Sequence, residues 1–197
     1  MSISLSKGQK ISLSKEDPSL KKIIVGLGWD TNKYSGGYDF DLDASCFELG
    51  ANDKITKDSD FIYYGNLDST DGAIHHTGDD TTGGNSNEGD DEQIIVDLTK
   101  VPDNIQKIAF TATIYAANKR NQNFGQVSNA YVRLVNENTG NEVIRYNLGE
   151  DFSIETAIVI CEVYRHNGEW KFNAVGAGFS GGLAALCHNY GLEVDAE

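Results

Sequence analysis

Proline, cysteine and positive charge are all scarce in this 197-residue chain. It has two prolines and three cysteines, and 16 basic residues oppose 30 acidic ones, for a net charge of −14. Cys46, Cys161 and Cys187 are widely spaced and form no C-x-x-C pair, which excludes a disulfide framework and a zinc ribbon. We interpret them as buried reduced thiols, and this pattern favours a cytoplasmic location.

Two further absences restrict the expected partners. No apolar run approaches the roughly 18–20 residues needed to span a bilayer, and the N-terminal residues lack the hydrophobic region of a signal peptide. Direct membrane insertion is therefore not expected. Phosphate backbones would repel so acidic a chain, so nucleic acid is not an expected partner either.

Short alternation of apolar and polar residues, typical of β-strands, recurs along the chain. Its length predicts one domain over residues 1–197, and its 21 glycines indicate many turns. Strands are predicted at 3–5, 11–13, 23–25, 39–47, 61–64, 93–98, 108–115, 131–135, 143–148, 157–165 and 170–175. We expect the first two to form a hairpin across residues 7–10. We expect the last two to form a hairpin whose turn contains Asn167-Gly168, a type I′ signal.

The C-terminal residues depart from the strand pattern. Apolar residues follow helical spacing at Leu183, Leu186, Cys187 and Tyr190, and Gly191 is placed to cap the helix. We therefore predict a mainly all-β fold, an antiparallel β-sandwich of about ten short strands with a small C-terminal helix. The longest irregular stretches, 65–92 and 118–129, are candidates for functional loops.

The negative charge is concentrated in one third of the chain. Residues 30–97 contain 17 acidic and three basic residues, while the two flanks together are neutral. Asp39, Asp41 and Asp43 alternate with apolar residues, so they share one face of a predicted strand. A second acidic cluster follows in the loop that contains Asp79, Asp80, Asn85, Asn87, Glu88, Asp90, Asp91 and Glu92.

Aligned carboxylates repel one another unless a cation lies among them. Hard oxygen ligands on flexible Gly/Asn/Thr loops favour Ca²⁺, with Mg²⁺ as the second choice. An EF-hand is excluded, since the sixth position of the run that starts at Asp39 is Ala44 and the twelfth is Gly50. The alternative interpretation is a solvated acidic face with plain turns.

The motifs of enzyme active sites are not evident. The chain has no G-x-S-x-G motif and no complete dinucleotide-binding loop. His75 and His76 are adjacent, so in a strand they point to opposite faces, and we expect a surface role for them. We therefore predict a protein that is not an enzyme. Two alternatives stay open: a metal-dependent hydrolase that uses Asp39/Asp41/Asp43 and Asp90/Asp91/Glu92, or an assembly module with an acidic docking face.

Several long motifs resemble those of the bacterial tellurium-resistance TerD family, and the resemblance covers nearly the whole chain. They are GLGWD at 26–30, DFDLDAS at 39–45, HTGD at 76–79, GDDEQ at 89–93, QNFGQVSNA at 122–130, YRHNGEWKF at 164–172 and GGLAAL at 181–186. The resemblance implies a β-sandwich that binds two neighbouring Ca²⁺ ions, has no catalytic activity and takes part in resistance to tellurite and other stresses. It also implies partners among other stress or tellurite-resistance proteins, including membrane-associated complexes.

The resemblance further implies a set of metal ligands in the two acidic clusters. The family ligands carry over onto Asp39, Asp41, Asp43, Asp79, Asp90, Asp91 and Glu92, with Asp30 beside them. We add Asp80 as an expected ligand, and Thr77 and Gly78 as backbone or supporting ligands. The chain departs from the family pattern at Asp80, in the longer segment 83–89, and at Ala116 and Asn118, where relatives carry an acidic pair. We expect cation affinity or partner choice to differ there.

Overall fold

The computed structural model describes residues 2–31, 37–83, 89–148 and 152–194. The expectations placed on Asn85, Asn87 and Glu88 lie outside these residues. The described residues form twelve strands: β1 (Ile3–Leu5), β2 (Lys10–Ser12), β3 (Lys22–Gly28), β4 (Leu42–Leu49), β5 (Phe61–Ile62), β6 (Ile74–His76), β7 (Glu92–Asp97), β8 (Lys107–Ile114), β9 (Tyr131–Asn136), β10 (Glu142–Asn147), β11 (Ala157–His166) and β12 (Glu169–Phe179). They also form three α-helices: α1 (Leu13–Glu16), α2 (Ala117–Arg120) and α3 (Gly182–Tyr190).

The strands make two six-stranded sheets, which confirms the predicted mainly-β sandwich. The first sheet has the order β1-β10-β9-β3-β7-β6, and the second has the order β2-β12-β11-β8-β4-β5. Every strand pair is antiparallel except β1 with β10. None of the helices in the described part of the chain has the length and apolar character needed to cross a membrane.

The predicted N-terminal hairpin is wrong. Strand β1 pairs with β10 and β2 pairs with β12, so the two strands belong to different sheets. Gly8, at φ +81°, turns the chain between them, and its N–H donates to the carbonyl of Ala174 at 2.6 Å. Each strand thereby covers the edge of a larger sheet, which is more stable than an isolated two-stranded hairpin.

The two C-terminal predictions are confirmed. Asn167 and Gly168 have φ of 53° and 77°, the left-handed conformation that both central residues of a type I′ turn require. Helix α3 ends at Gly191, whose φ of 88° matches a glycine C-cap.

Strand β4 is buried on both faces. Leu42, Ala44 and Cys46 belong to the main core between the sheets. Phe47 and Leu49 belong to a second cluster, which α3 covers with residues that include Leu186, Cys187 and Tyr190. Because packing fixes this strand from both sides, the acidic residues at its start are held in defined positions.

One carboxyl group of β4 lies in the protein interior. Glu48 is 1% exposed, and its Oε1 has no hydrogen-bond partner in the structure. Burial raises the pKa of Glu48 to about 8, and the nearby charges of Asp71 and Asp60 act in the same direction. Between pH 4.5 and 8 the unfolded chain ionises this group while the folded protein retains the proton, so Glu48 makes folding less favourable as the pH rises.

We expect Glu48→Gln to stabilise the protein at alkaline pH. The variant should match the wild type near pH 4.5 and exceed its free energy of unfolding by roughly 1–3 kcal/mol at pH 8, because glutamine stays neutral. Urea denaturation across this pH range measures the difference. The exposed Glu137→Gln change is the charge-matched control, and equal stability of Glu48→Gln and wild type at pH 8 would contradict the expectation.

Candidate metal site

A pocket of about 580 Å³ opens where β4 begins. We call it the acidic pocket; its lining residues are Tyr38, Asp39, Asp41, Asp43, Tyr64, Asp79, Thr81, Tyr115 and Arg120. Four of the predicted metal ligands, Asp39, Asp41, Asp43 and Asp79, therefore surround one cavity. Its size is within the range of small-molecule and cofactor sites.

Three of these carboxylates converge on one point. One oxygen each from Asp41, Asp43 and Asp79 lies within 4.8 Å of the other two. Oxygens bound to a single Ca²⁺ at roughly 2.3–2.6 Å are at most about 5.2 Å apart, so one ion can contact all three. Asp41 and Asp43 are buried and Asp79 is exposed, which leaves the site open to solvent on one side.

Glu92, the first residue of β7, links the two halves of this site. Its Oε2 accepts a hydrogen bond from the Ala44 N–H at 2.6 Å, and its Oε1 accepts one from the Asp80 N–H at 3.1 Å. Strand β5 pairs with β4 at Cys46 and Phe47, so within the described ranges no strand covers the edge of β4 at Ala44. Glu92 therefore closes this edge and holds the Asp79 loop beside Asp41 and Asp43.

His76 completes the same connection. Its Nε2 lies 3.0 Å from the Ala44 carbonyl oxygen, and its Nδ1 accepts a hydrogen bond from the Gly78 N–H at 3.1 Å. Burial lowers the pKa of His76, and the two contacts fit a neutral ring protonated at Nε2. His75, on the other face, is exposed and contacts Asp68. The expected surface role therefore holds for His75 and is wrong for His76, because the Ala44 edge needs a buried donor.

Burial also changes the ionisation of the carboxyl groups. It raises the pKa of Glu92 to about 9, and the adjacent Asp43 and Asp79 add to this effect. Burial likewise raises the pKa of Asp41, although the Arg120 guanidinium opposes it. Negative charge at this site is therefore costly without a cation.

Arg120 is the basic residue in the acidic pocket. Its Nη1 lies 3.2 Å from Asp41 Oδ2, and its guanidinium carbon lies 5.5 Å and 5.0 Å from the ring centres of Tyr38 and Tyr115. Both distances are within cation–π range. No sequence signal identified Arg120, because a single arginine in a predicted loop has no distinctive spacing.

Asp90 has a different environment. Its carboxylate forms a bidentate ion pair with Arg133, with Nε–Oδ1 at 2.7 Å and Nη2–Oδ2 at 2.9 Å. Tyr131 and Gln93 also donate to it, at 3.2 Å and 3.0 Å. The structure therefore does not bring Asp90 into the three-carboxylate cluster.

Other predicted ligands make hydrogen bonds with the rest of the chain. Asp91 Oδ2 accepts from the Trp29 N–H at 2.9 Å, and Asp30 Oδ2 accepts from Asn129 at 2.7 Å. Asp80 Oδ1 accepts from the N–H groups of Thr82 and Gly83. The predicted supporting residue Thr77 donates through its hydroxyl to the Gln93 carbonyl at 3.1 Å. The full ligand set stays a prediction.

The G-x-G motif of β3 makes room for the Asp90 ion pair. Gly26 is the cross-strand neighbour of Arg133, and Gly28 is the neighbour of Tyr131. A Cβ atom at Gly26 would overlap the Asp90 carboxylate, and one at Gly28 would lie 2.5 Å from the Tyr131 side chain. These glycines therefore serve close packing.

We expect Asp90→Asn to reduce the free energy of unfolding by roughly 1–3 kcal/mol, because it leaves Arg133 without its buried partner. Chemical denaturation measures this loss, with the fully exposed Asp103→Asn change as the charge-matched control. In the double variant Asp90→Asn/Arg133→Gln the loss should be smaller than the sum of the single losses. Additive losses would show that the pair is not coupled.

A β-sandwich with a carboxylate-lined pocket defines the class of this protein, and comparison with known proteins defines its family. Residues 1–190 match the TerD domain model, so the chain belongs to the TerD family. It is 59% identical over 194 residues to General stress protein 16U of Bacillus subtilis (strain 168), covering 98% of this chain and all of that protein. It is 55% identical over 192 residues to Tellurium resistance protein TerD of Serratia marcescens, covering 98% of each chain.

The fold also has a match among solved structures. The crystal structure of a homologue of telluride resistance protein (TerD) from Streptomyces coelicolor A3(2) superposes with a TM-score of 0.68 at 20% identity. The match covers 85% of this chain and 95% of that one. At this identity the match supports the fold alone.

Proposed function

We propose that this chain is a non-enzymatic calcium-binding protein of the tellurite-resistance and general stress response. The observation that carries the calcium assignment is the convergence of Asp41, Asp43 and Asp79, with ligand atoms within 4.8 Å of one another. The stress role is supported by family membership and by the names of the relatives. The proposed location is the cytoplasm, which the three free buried cysteines support.

The chemistry of the pocket favours calcium among the common metals. Its converging ligands are all carboxylate oxygens, which suit hard cations rather than zinc or copper. Asp39 lines the same pocket, and water can enter from the exposed side to complete six to eight ligands. Calcium would neutralise the charge of two buried aspartates, which burial otherwise makes costly.

We propose one calcium ion at this cluster. The second ion that the family resemblance implies would draw on Asp80, Asp90 or Asp91, which already accept hydrogen bonds from other parts of the chain. The Arg133 ion pair makes this especially costly for Asp90. The cluster therefore supports a first ion more strongly than a second.

A calcium-loaded acidic pocket would also present a surface to partner proteins. Tyr38, Tyr64 and Tyr115 line the pocket and are 65%, 44% and 46% exposed. Exposed tyrosines are enriched in protein interfaces, because one end of the ring is apolar and the other is polar. The proposed partners are other stress or tellurite-resistance proteins, including membrane-associated complexes.

Calcium should raise the melting temperature of the metal-stripped protein. At 100 times its dissociation constant, a ligand adds about 2.7 kcal/mol to the free energy of unfolding. The double change Asp41→Asn/Asp43→Asn should remove most of this gain, while Asp90→Asn should lower the melting temperature and keep the calcium response. Differential scanning calorimetry with and without calcium measures both effects. Absence of stabilisation by millimolar calcium in the wild type would overturn the proposal.

A further inference from the structure

We infer that Arg120 is an internal counter-cation that occupies the acidic pocket without metal and is displaced from Asp41 when metal binds. The inference rests on the proposed calcium site and adds a competing group to it. Arg120 would thereby lower the calcium affinity of the pocket. Calcium binding would also change the contacts of the Arg120 guanidinium with the surrounding tyrosines.

The competition follows from a shared carboxylate. Asp41 contributes an oxygen to the three-carboxylate cluster, and its Oδ2 also lies 3.2 Å from Arg120 Nη1. A calcium ion among Asp41, Asp43 and Asp79 would place two positive charges close to the guanidinium. Like charges at such short separation repel, and the partly buried pocket screens them less than bulk water does.

The contacts of the Arg120 side chain allow it to move away from Asp41. Within the described residues its one ion-pair partner is Asp41. Its remaining pocket contacts are with the rings of Tyr38 and Tyr115, which are exposed, and its own side chain is 22% exposed. It ends the four-residue helix α2, which has left-handed residues at both caps, Ala116 at φ 49° and Asn121 at φ 52°. The guanidinium can therefore turn to solvent without breaking a buried contact other than that with Asp41.

Arg120 also explains how the buried Asp41 is tolerated without metal. The guanidinium partly neutralises Asp41, so the metal-free protein keeps some of the stability that calcium would otherwise supply. Removal of Arg120 should therefore weaken the metal-free state more than the calcium-bound state. This predicts opposite changes in stability and in calcium affinity.

Arg120→Gln tests the inference, with Lys119→Gln as the matched control. Lys119 is the preceding residue of the same helix and is exposed, so its replacement removes the same charge without touching Asp41. By isothermal titration calorimetry, Arg120→Gln should bind calcium about tenfold more tightly than the wild type, the effect expected from removing one nearby like charge. Lys119→Gln should change the affinity less than about twofold.

Two further readouts separate displacement from a general charge effect. Arg120→Gln should melt at a lower temperature than the wild type without calcium and gain more from calcium. Calcium should change the tyrosine fluorescence of the wild type, and this change should be reduced in Arg120→Gln because no guanidinium leaves Tyr38 and Tyr115. Arg120→Lys serves as a second, milder variant and should show intermediate affinity.

The outcomes distinguish this inference from the proposed function. Suppose that the wild type binds calcium and that Arg120→Gln binds it with equal or lower affinity, or changes the affinity only as much as Lys119→Gln does. The displacement of Arg120 is then overturned, and the calcium site stands. If the wild type does not bind calcium, both are overturned.

Discussion

The position of Glu92 is the constraint on which the candidate site depends. Its carboxyl group accepts hydrogen bonds from Ala44 on the second sheet and from Asp80 in the loop between β6 and β7 of the first sheet. These two bonds place the Asp79 loop against the start of β4, where Asp41 and Asp43 lie. Because burial raises the pKa of Glu92 to about 9, the group can make this connection without adding another negative charge at neutral pH. The neutral His76 ring supports the same strand edge.

The carboxylates of the acidic third of the chain divide into two groups with different roles. Asp90 accepts hydrogen bonds from the Arg133 side chain, and Asp91 and Asp80 accept them from backbone N–H groups. Asp41, Asp43 and Asp79 converge on one point in the acidic pocket, where Arg120 is the basic side chain among the described lining residues. The net charge of −14 therefore overstates the number of carboxylates that need a metal ion, because hydrogen bonds from the protein already stabilise much of the second acidic cluster.

The parts of the structure that depend on local spacing were predictable. Alternation at residues 39–47 located strand β4, but the strand begins at Leu42, so Asp39 and Asp41 precede it and Asp43 alone of the three aspartates lies on it. Asn167-Gly168 specified its hairpin without reference to other segments. The Asp90–Arg133 ion pair was not predictable, because 43 positions separate the two residues and only the pairing of β3 with β7 and β9 brings them together. The same limit applies to His76 and Arg120, whose roles depend on contacts with distant strands. The N-terminal hairpin failed because local alternation does not show which sheet edge a strand will cover.

The central claim is that Asp41, Asp43 and Asp79 form a calcium site whose empty state is balanced by Arg120. Long-wavelength anomalous diffraction from crystals grown with and without calcium tests it most directly. The account predicts an anomalous peak within about 2.3–2.6 Å of an oxygen from each of the three aspartates, with Arg120 turned away from Asp41. A peak at Asp90 with Arg133 displaced, or no peak in the acidic pocket at saturating calcium, would contradict it.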